Sequence, residues 1–121
     1  LTEKILVVED EPFVMMVASE ALREHGFAVV EASNAHEAVA LLHGDDTISL
    51  MFSDVRMPGG MDGFQLARWT AERRPRVKIL MTSGEAGTGE PPTGFDWARN
   101  FIRKPYRLAD LVETIRTAMK Q

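Results

Sequence analysis

The sequence predicts an α/β domain in which a five-stranded parallel sheet carries helices on both faces. Two observations predict it. Short apolar runs alternate with amphipathic segments along the whole chain, and the first run, Ile5-Leu6-Val7-Val8, is continuously apolar instead of alternating. A strand buried on both faces reads that way, and such strands belong to parallel sheets.

The elements follow in order. After the Ile5–Val8 strand, Pro12 stands where a first helical turn tolerates proline. Val14, Val17, Ala18, Ala21 and Leu22 then recur at helical spacing up to Gly26. Residues 27–32 form the second strand. Asn34 followed by Glu37 resembles a capping box, with Ala38, Leu41 and Leu42 as the apolar face of a helix that Gly44 ends. Residues 48–53 form the third strand, and a Pro/Gly loop spans 57–60. Leu66, Trp69 and Thr70 mark the inner face of the third helix, which Asp62 caps and Pro75 bounds. Residues 77–82 form the fourth strand and 100–103 a short fifth. Leu108, Leu111, Val112, Ile115 and Met119 give the last helix its apolar face.

Between the fourth and fifth strands the pattern breaks. Residues 84–100 hold Gly84, Gly87, Gly89, Pro91, Pro92 and Gly94, a density that opposes a regular helix. The fourth helix is expected to be short, displaced or missing. Right-handed crossovers leave few topologies. The expected strand order is 2-1-3-4-5, doubly wound and flavodoxin-like, with ligands at the carboxyl ends of the strands near the switch point between strands one and three.

Composition bounds the rest. The 121 residues fit one domain, 1–121, and there is no cysteine for disulfides, thiolate metal sites or thiol nucleophiles. A net charge of −4 with no basic run argues against direct binding of nucleic acid. No apolar stretch approaches a membrane span, so no membrane association and a cytoplasmic location are expected. Leu1 stands in place of an initiator methionine, as in a chain cut from something longer.

At the strand ends, Glu9 and Asp10 meet Asp54, with Ser83 and Lys104 on the same rim. Carboxylates this close repel unless a cation neutralises them, and a hard, oxygen-bound Mg²⁺ suits a rim without His or Cys. A carboxylate nucleophile, a cation and a fixed ammonium together make a phosphoryl-transfer site. Each residue alone has an ordinary reading. The acids after the first strand favour a helix N-terminus. Asp54 suits a turn, Ser83 a strand end and Lys104 a solvated surface. The coincidence on one rim decides for chemistry. His25, His36 and His43 lie in or at the ends of helices, away from it.

Val7-Val8-Glu9-Asp10-Glu11, Ser53-Asp54-Val55-Arg56-Met57-Pro58, Met61-Asp62-Gly63, Thr82-Ser83-Gly84 and Lys104-Pro105 together resemble the response-regulator receiver domain of two-component signalling. The resemblance implies that Asp54 is the phosphoacceptor, taking its group from a histidine kinase or histidine phosphotransfer protein. It implies Mg²⁺ on Asp10, Asp54 and the backbone carbonyl of Arg56, with Glu9 acting through a water. Lys104 would pair with the phosphoryl oxygens, Ser83 would move to meet one of them, and Phe101 would be the aromatic switch. The Lys104–Pro105 bond would be cis. The protein would be a regulator that modifies itself slowly and alters contacts with a downstream protein, not an enzyme of metabolism.

Two departures stand out: residues 57–63 form a loop one residue longer than the common form, and Arg56 and Glu85 are placed to pair over the phosphoryl position. The alternative function is a docking module that works without phosphorylation. An aspartate-nucleophile phosphatase would need a different acid after the first strand. A flavodoxin-like cofactor carrier would need hydroxyls and amides where Glu9-Asp10-Glu11 stand.

Overall fold

The computed structural model describes residues 3–84 and 89–120. Five strands, β1 (Lys4–Val8), β2 (Ala28–Ala32), β3 (Ile48–Asp54), β4 (Lys78–Ser83) and β5 (Phe101–Arg103), pair in parallel in the order β2-β1-β3-β4-β5. That is the expected order. Helices α1 (Pro12–Glu24) and α4 (Leu108–Met119) cover one face, and α2 (Ala35–Gly44) and α3 (Gly63–Arg73) the other.

Strand parity explains the two cores. Ile5, Val7, Leu50, Phe52 and Leu80 pack under α1 and α4 with Leu22, Leu111 and Ile115. Leu6, Val8, Met51 and Met81 turn the other way, to Leu42, Phe64 and Leu66. Every residue of the Ile5–Val8 run is therefore buried, as its unbroken apolar character requires. The inner face of α3 differs in one respect from the sequence reading. Phe64 and Ala67 fill it, while Trp69 is only partly buried.

The helix starts show why these segments become helical where they do. Asp62 and Gln65 form a complete capping box on α3, each side chain accepting the other's backbone N–H at 2.8 Å. Such a cap contributes about 1 kcal/mol. On α2, Asn34 accepts the Glu37 N–H, but Glu37 does not reciprocate. Its carboxylate accepts the N–H and hydroxyl of Ser33 instead, one residue further back. The box expected from Asn34 and Glu37 is thus displaced, and the Ser33 N–H holds the Glu37 carboxyl below its usual range.

The far end of the sheet carries an ion pair. Lys4 Nζ donates to Asp45 Oδ2 at 2.8 Å, and Thr47 donates its N–H and hydroxyl to Asp45 Oδ1. The Lys4 hydrogen bond and then those of Thr47 lower the Asp45 carboxyl from 3.8 to about 2. A depressed acid stabilises the fold above its unfolded value and loses that contribution as pH falls through the folded one. Asp45→Asn is therefore expected to lower unfolding stability by at most about 1 kcal/mol at neutral pH, because the pair is partly exposed. In urea unfolding series, the difference should vanish as pH drops from 3.8 to about 2.

Among the described residues no helix lies between β4 and β5. Residues 89–100 run as turns, pinned by Asn100, whose side chain donates to the Ile79 carbonyl and accepts the Asp96 N–H. Arg68 adds a hydrogen bond from its guanidinium to the Glu90 carbonyl. Aromatic rings fill the space a helix would cover. Trp97 meets Phe64, Phe95 and Phe101 edge-on, at centroid distances of 5.8, 5.1 and 5.0 Å. Each such contact contributes about 0.5–1.5 kcal/mol beyond area burial. Trp97 nonetheless keeps 45% of its surface in water. No helix among the described residues is long and apolar enough to cross a membrane.

Candidate functional site

The rim at the carboxyl ends of the strands is held by backbone hydrogen bonds that continue the sheet past its last side chains. Glu9 N–H donates to Ala32 O at 3.0 Å, Val55 N–H to Thr82 O at 2.9 Å and Lys104 N–H to Ser83 O at 3.0 Å. Gly63 N–H donates to Val55 O at 2.7 Å and ties the start of α3 to the residue after Asp54. Asp54 itself is the last residue of β3, one place further into the sheet than the sequence reading put it.

On this rim Glu9, Asp10 and Asp54 each offer a carboxylate oxygen, all within 4.8 Å of one another. Glu9 and Asp54 are buried and Asp10 is exposed. Lys104 reaches the cluster from β5. Its Nζ donates to Asp54 Oδ2 at 2.7 Å and to Glu9 Oε1 at 3.2 Å. The remaining oxygens are also engaged: Asp54 Oδ1 accepts the Arg56 N–H at 3.1 Å, and Glu9 Oε2 the Glu11 N–H at 3.1 Å. The Lys104–Pro105 peptide bond is cis, as expected.

Charge follows geometry. Burial raises the Glu9 carboxyl above its usual range, against the Glu11 N–H and the Lys104 ammonium, while the Asp54 charge pushes the same way as burial. For Lys104, burial pulls its value down, but the hydrogen bond and charge of Asp54, joined by Glu9, outweigh it and raise it. The ammonium is therefore firmly charged. Three carboxylates and one ammonium leave an excess of negative charge, and oxygen donors alone at this spacing suit a hard divalent cation. A cleft of about 520 Å³ opens beside them, lined by Asp10, Val55, Arg56, Met57, Pro58, Asp62 and Gly89.

The structure brings Glu9, Asp10, Asp54 and Lys104 together. Ser83 is buried at the end of β4, one residue past Thr82, the register partner of Asp54. Phe101 is half-buried on the α2/α3 face, against Trp97. Arg56 is exposed. Glu85 lies outside the described residues, and so does any pair it makes with Arg56. Two neighbours have no role in the sequence reading. Tyr106 packs edge-on against Phe52 at 5.8 Å, and burial raises its hydroxyl's pKa. Thr82 is buried in register with Asp54, which strand parity alone would have placed on the same face.

Over residues 5–116 the chain matches the response regulator receiver domain family. It is 32% identical over 114 residues to the response regulator receiver protein CpdR of Brucella abortus, covering 93% of each chain. It is 30% identical over 119 residues to the transcriptional regulatory protein TcrA of Mycobacterium tuberculosis, covering 98% of this chain but 46% of TcrA. Among solved structures, a CheY-like receiver domain protein from Methanospirillum hungatei superposes with a TM-score of 0.86 at 25% identity, over 99% of this chain and 95% of the other. The acidic cluster of Glu9, Asp10 and Asp54 fits the Mg²⁺ site of that family.

Proposed function

The chain belongs to the response regulator receiver family of two-component systems, and from that premise we propose that Asp54 accepts the phosphoryl group. The observation that carries the assignment is the Lys104 ammonium, 2.7 Å from Asp54 Oδ2 beside two further carboxylates. Among the described residues, no other carboxylate on the rim is buried, ends a strand and accepts a hydrogen bond on each of its oxygens.

In the proposed reaction an Asp54 oxygen attacks the phosphorus of a phosphohistidine on a histidine kinase or phosphotransfer protein. The P–N bond breaks, and the imidazole nitrogen leaves with the electron pair. Asp10, Asp54 and the Arg56 carbonyl would hold Mg²⁺, with Glu9 acting through a water. Bound there, the ion would neutralise charge on the phosphoryl oxygens. Lys104 does the same from the other side by exchanging Asp54 Oδ2 for a phosphoryl oxygen. Ser83 would then hydrogen-bond another of those oxygens, and Phe101 would turn into the space that movement opens. The domain, 1–121, is a regulator that promotes its own phosphorylation and slow dephosphorylation, and the changed surface alters contact with a downstream protein.

Incubation with Mg²⁺ and a small-molecule phosphodonor, followed by intact mass, tests the assignment. One added phosphoryl group is expected, absent without metal and absent in Asp54→Ala. An adduct that persists in Asp54→Ala would place the chemistry elsewhere. No adduct, together with no thermal stabilisation by Mg²⁺, would favour a docking module that works without phosphorylation.

A further inference from the structure

Lys104 lies one residue past the end of β5, yet its ammonium meets Asp54 on β3. β4 lies between those strands, so the lysine side chain has to cross the end of β4 to make the contact. Two residues at that end of β4 lie along the crossing. One is Gly84, just past the strand, where an added Cβ would touch Lys104 Cβ at 3.9 Å. The other is Thr82, which pairs in register with Asp54 on one side and Ile102 on the other. Register partners in parallel strands project to the same face. Thr82 therefore occupies the row between Asp54 and Ile102, on the face from which Lys104, two residues beyond Ile102, also rises.

Thr82 is 1% exposed, and its hydroxyl has no hydrogen-bond partner among the described residues. A buried hydroxyl without a partner is unfavourable, and valine has the same shape and suits a central strand better. The hydroxyl is thus unexplained by the resting fold. Lys104 has three N–H donors, of which two serve Asp54 and Glu9. Once an Asp54 oxygen bonds to phosphorus, the charge on that carboxylate falls and the ammonium must shift.

We propose that Thr82 is a positioning residue for phosphoryl transfer, its hydroxyl accepting a hydrogen bond from the Lys104 ammonium as Lys104 moves from Asp54 to the phosphoryl oxygens. The proposal rests on Asp54 being the phosphoacceptor. It gives the otherwise idle hydroxyl a partner in the state where the lysine changes hands.

Thr82→Val keeps the shape and removes the hydroxyl; Thr82→Ser keeps the hydroxyl and removes the methyl. Phosphoryl incorporation from acetyl phosphate in Mg²⁺, followed by intact mass, should be about fivefold to tenfold slower in Thr82→Val and within about twofold of wild type in Thr82→Ser. The metal-free melting temperature of Thr82→Val should be equal to or above wild type, since a buried unpartnered hydroxyl is lost. Equal rates for wild type and Thr82→Val overturn the inference. So does a Thr82→Ser rate as low as that of Thr82→Val, which would assign the effect to the methyl. A lower melting temperature in Thr82→Val would make the residue a packing element and overturns it too. A wild-type protein that takes no phosphoryl group overturns the phosphoacceptor reading and this inference with it, whereas labelling of wild type at normal rates leaves only the Thr82 arms to decide.

Discussion

Gly63→Ala is expected to destabilise the fold by about 3 kcal/mol or more, the effect of a single methyl group driven into backbone. A Cβ at this position would lie 2.0 Å from the Asp54 carbonyl oxygen, 2.7 Å from Val55 Cα and 2.9 Å from the Asp54 carbonyl carbon. No flexible side chain is there to yield. Relief requires that α3 move away from β3, which breaks the 2.7 Å hydrogen bond from Gly63 N–H to Val55 O and shifts Asp54 itself. Stability and chemistry should therefore fail together. Urea unfolding measures the first, and Mg²⁺-dependent phosphoryl incorporation the second. Gly44→Ala is the control. Gly44 ends α2 with nothing within 4 Å of an added Cβ and no left-handed backbone, so that variant should be neutral or slightly stabilising. Equal behaviour of the two variants would refute the close approach of α3 to Asp54.

Gly63 also shows where reading the sequence ends. The Met61-Asp62-Gly63 motif was visible, and so was the cap on α3, because capping depends on residues three apart. The reason for the glycine was not, because it depends on a carbonyl nine residues earlier. The same division runs through the molecule. Strand order was legible because the apolar runs, crossover rules and helix faces are local signals. Glu9, Asp10, Asp54, Ser83 and Lys104 were legible because they stand at strand ends, and topology carries strand ends to one rim. Between β4 and β5, composition opposed a helix and none is found among the described residues, but nothing local revealed what would replace it. Phe64, Phe95, Trp97 and Phe101 belong to three separate segments and are brought together only by the tertiary fold. Bonding is harder to read than proximity. That Lys104 bridges Glu9 and Asp54, and that Glu37 reaches back to Ser33 and not Asn34, depends on side-chain geometry that no local pattern encodes.

Lys104→Met should separate two roles that the ammonium combines. In the resting protein it is a counterion, lying between Glu9 and Asp54 at 3.2 and 2.7 Å. Methionine preserves much of the stem but takes the ammonium away from three clustered carboxylates, so metal-free stability should fall by about 1–2 kcal/mol, less than for a fully buried pair because Lys104 is partly exposed. The pH dependence has a definite sign. The Lys104 value is raised in the fold, so its contribution is complete below the ordinary lysine value of 10.5 and is lost as pH rises through the folded one. The stability difference between wild type and variant should hold across neutral pH and narrow in alkali as the ammonium is lost. Mg²⁺ should bind the variant more tightly, since a competing positive charge has left the site. In the transfer step the ammonium instead offsets charge growing on the phosphoryl oxygens. Loss of one such group commonly slows a reaction about 10²-fold. The expected variant thus binds metal better and takes phosphate far more slowly, as measured by Mg²⁺ titration and intact-mass kinetics. A pure counterion would behave otherwise, because saturating Mg²⁺ would supply the missing charge and restore the rate. Slow transfer at saturating Mg²⁺ assigns Lys104 to the phosphoryl group as well as to the resting carboxylates, and restored transfer confines it to the latter.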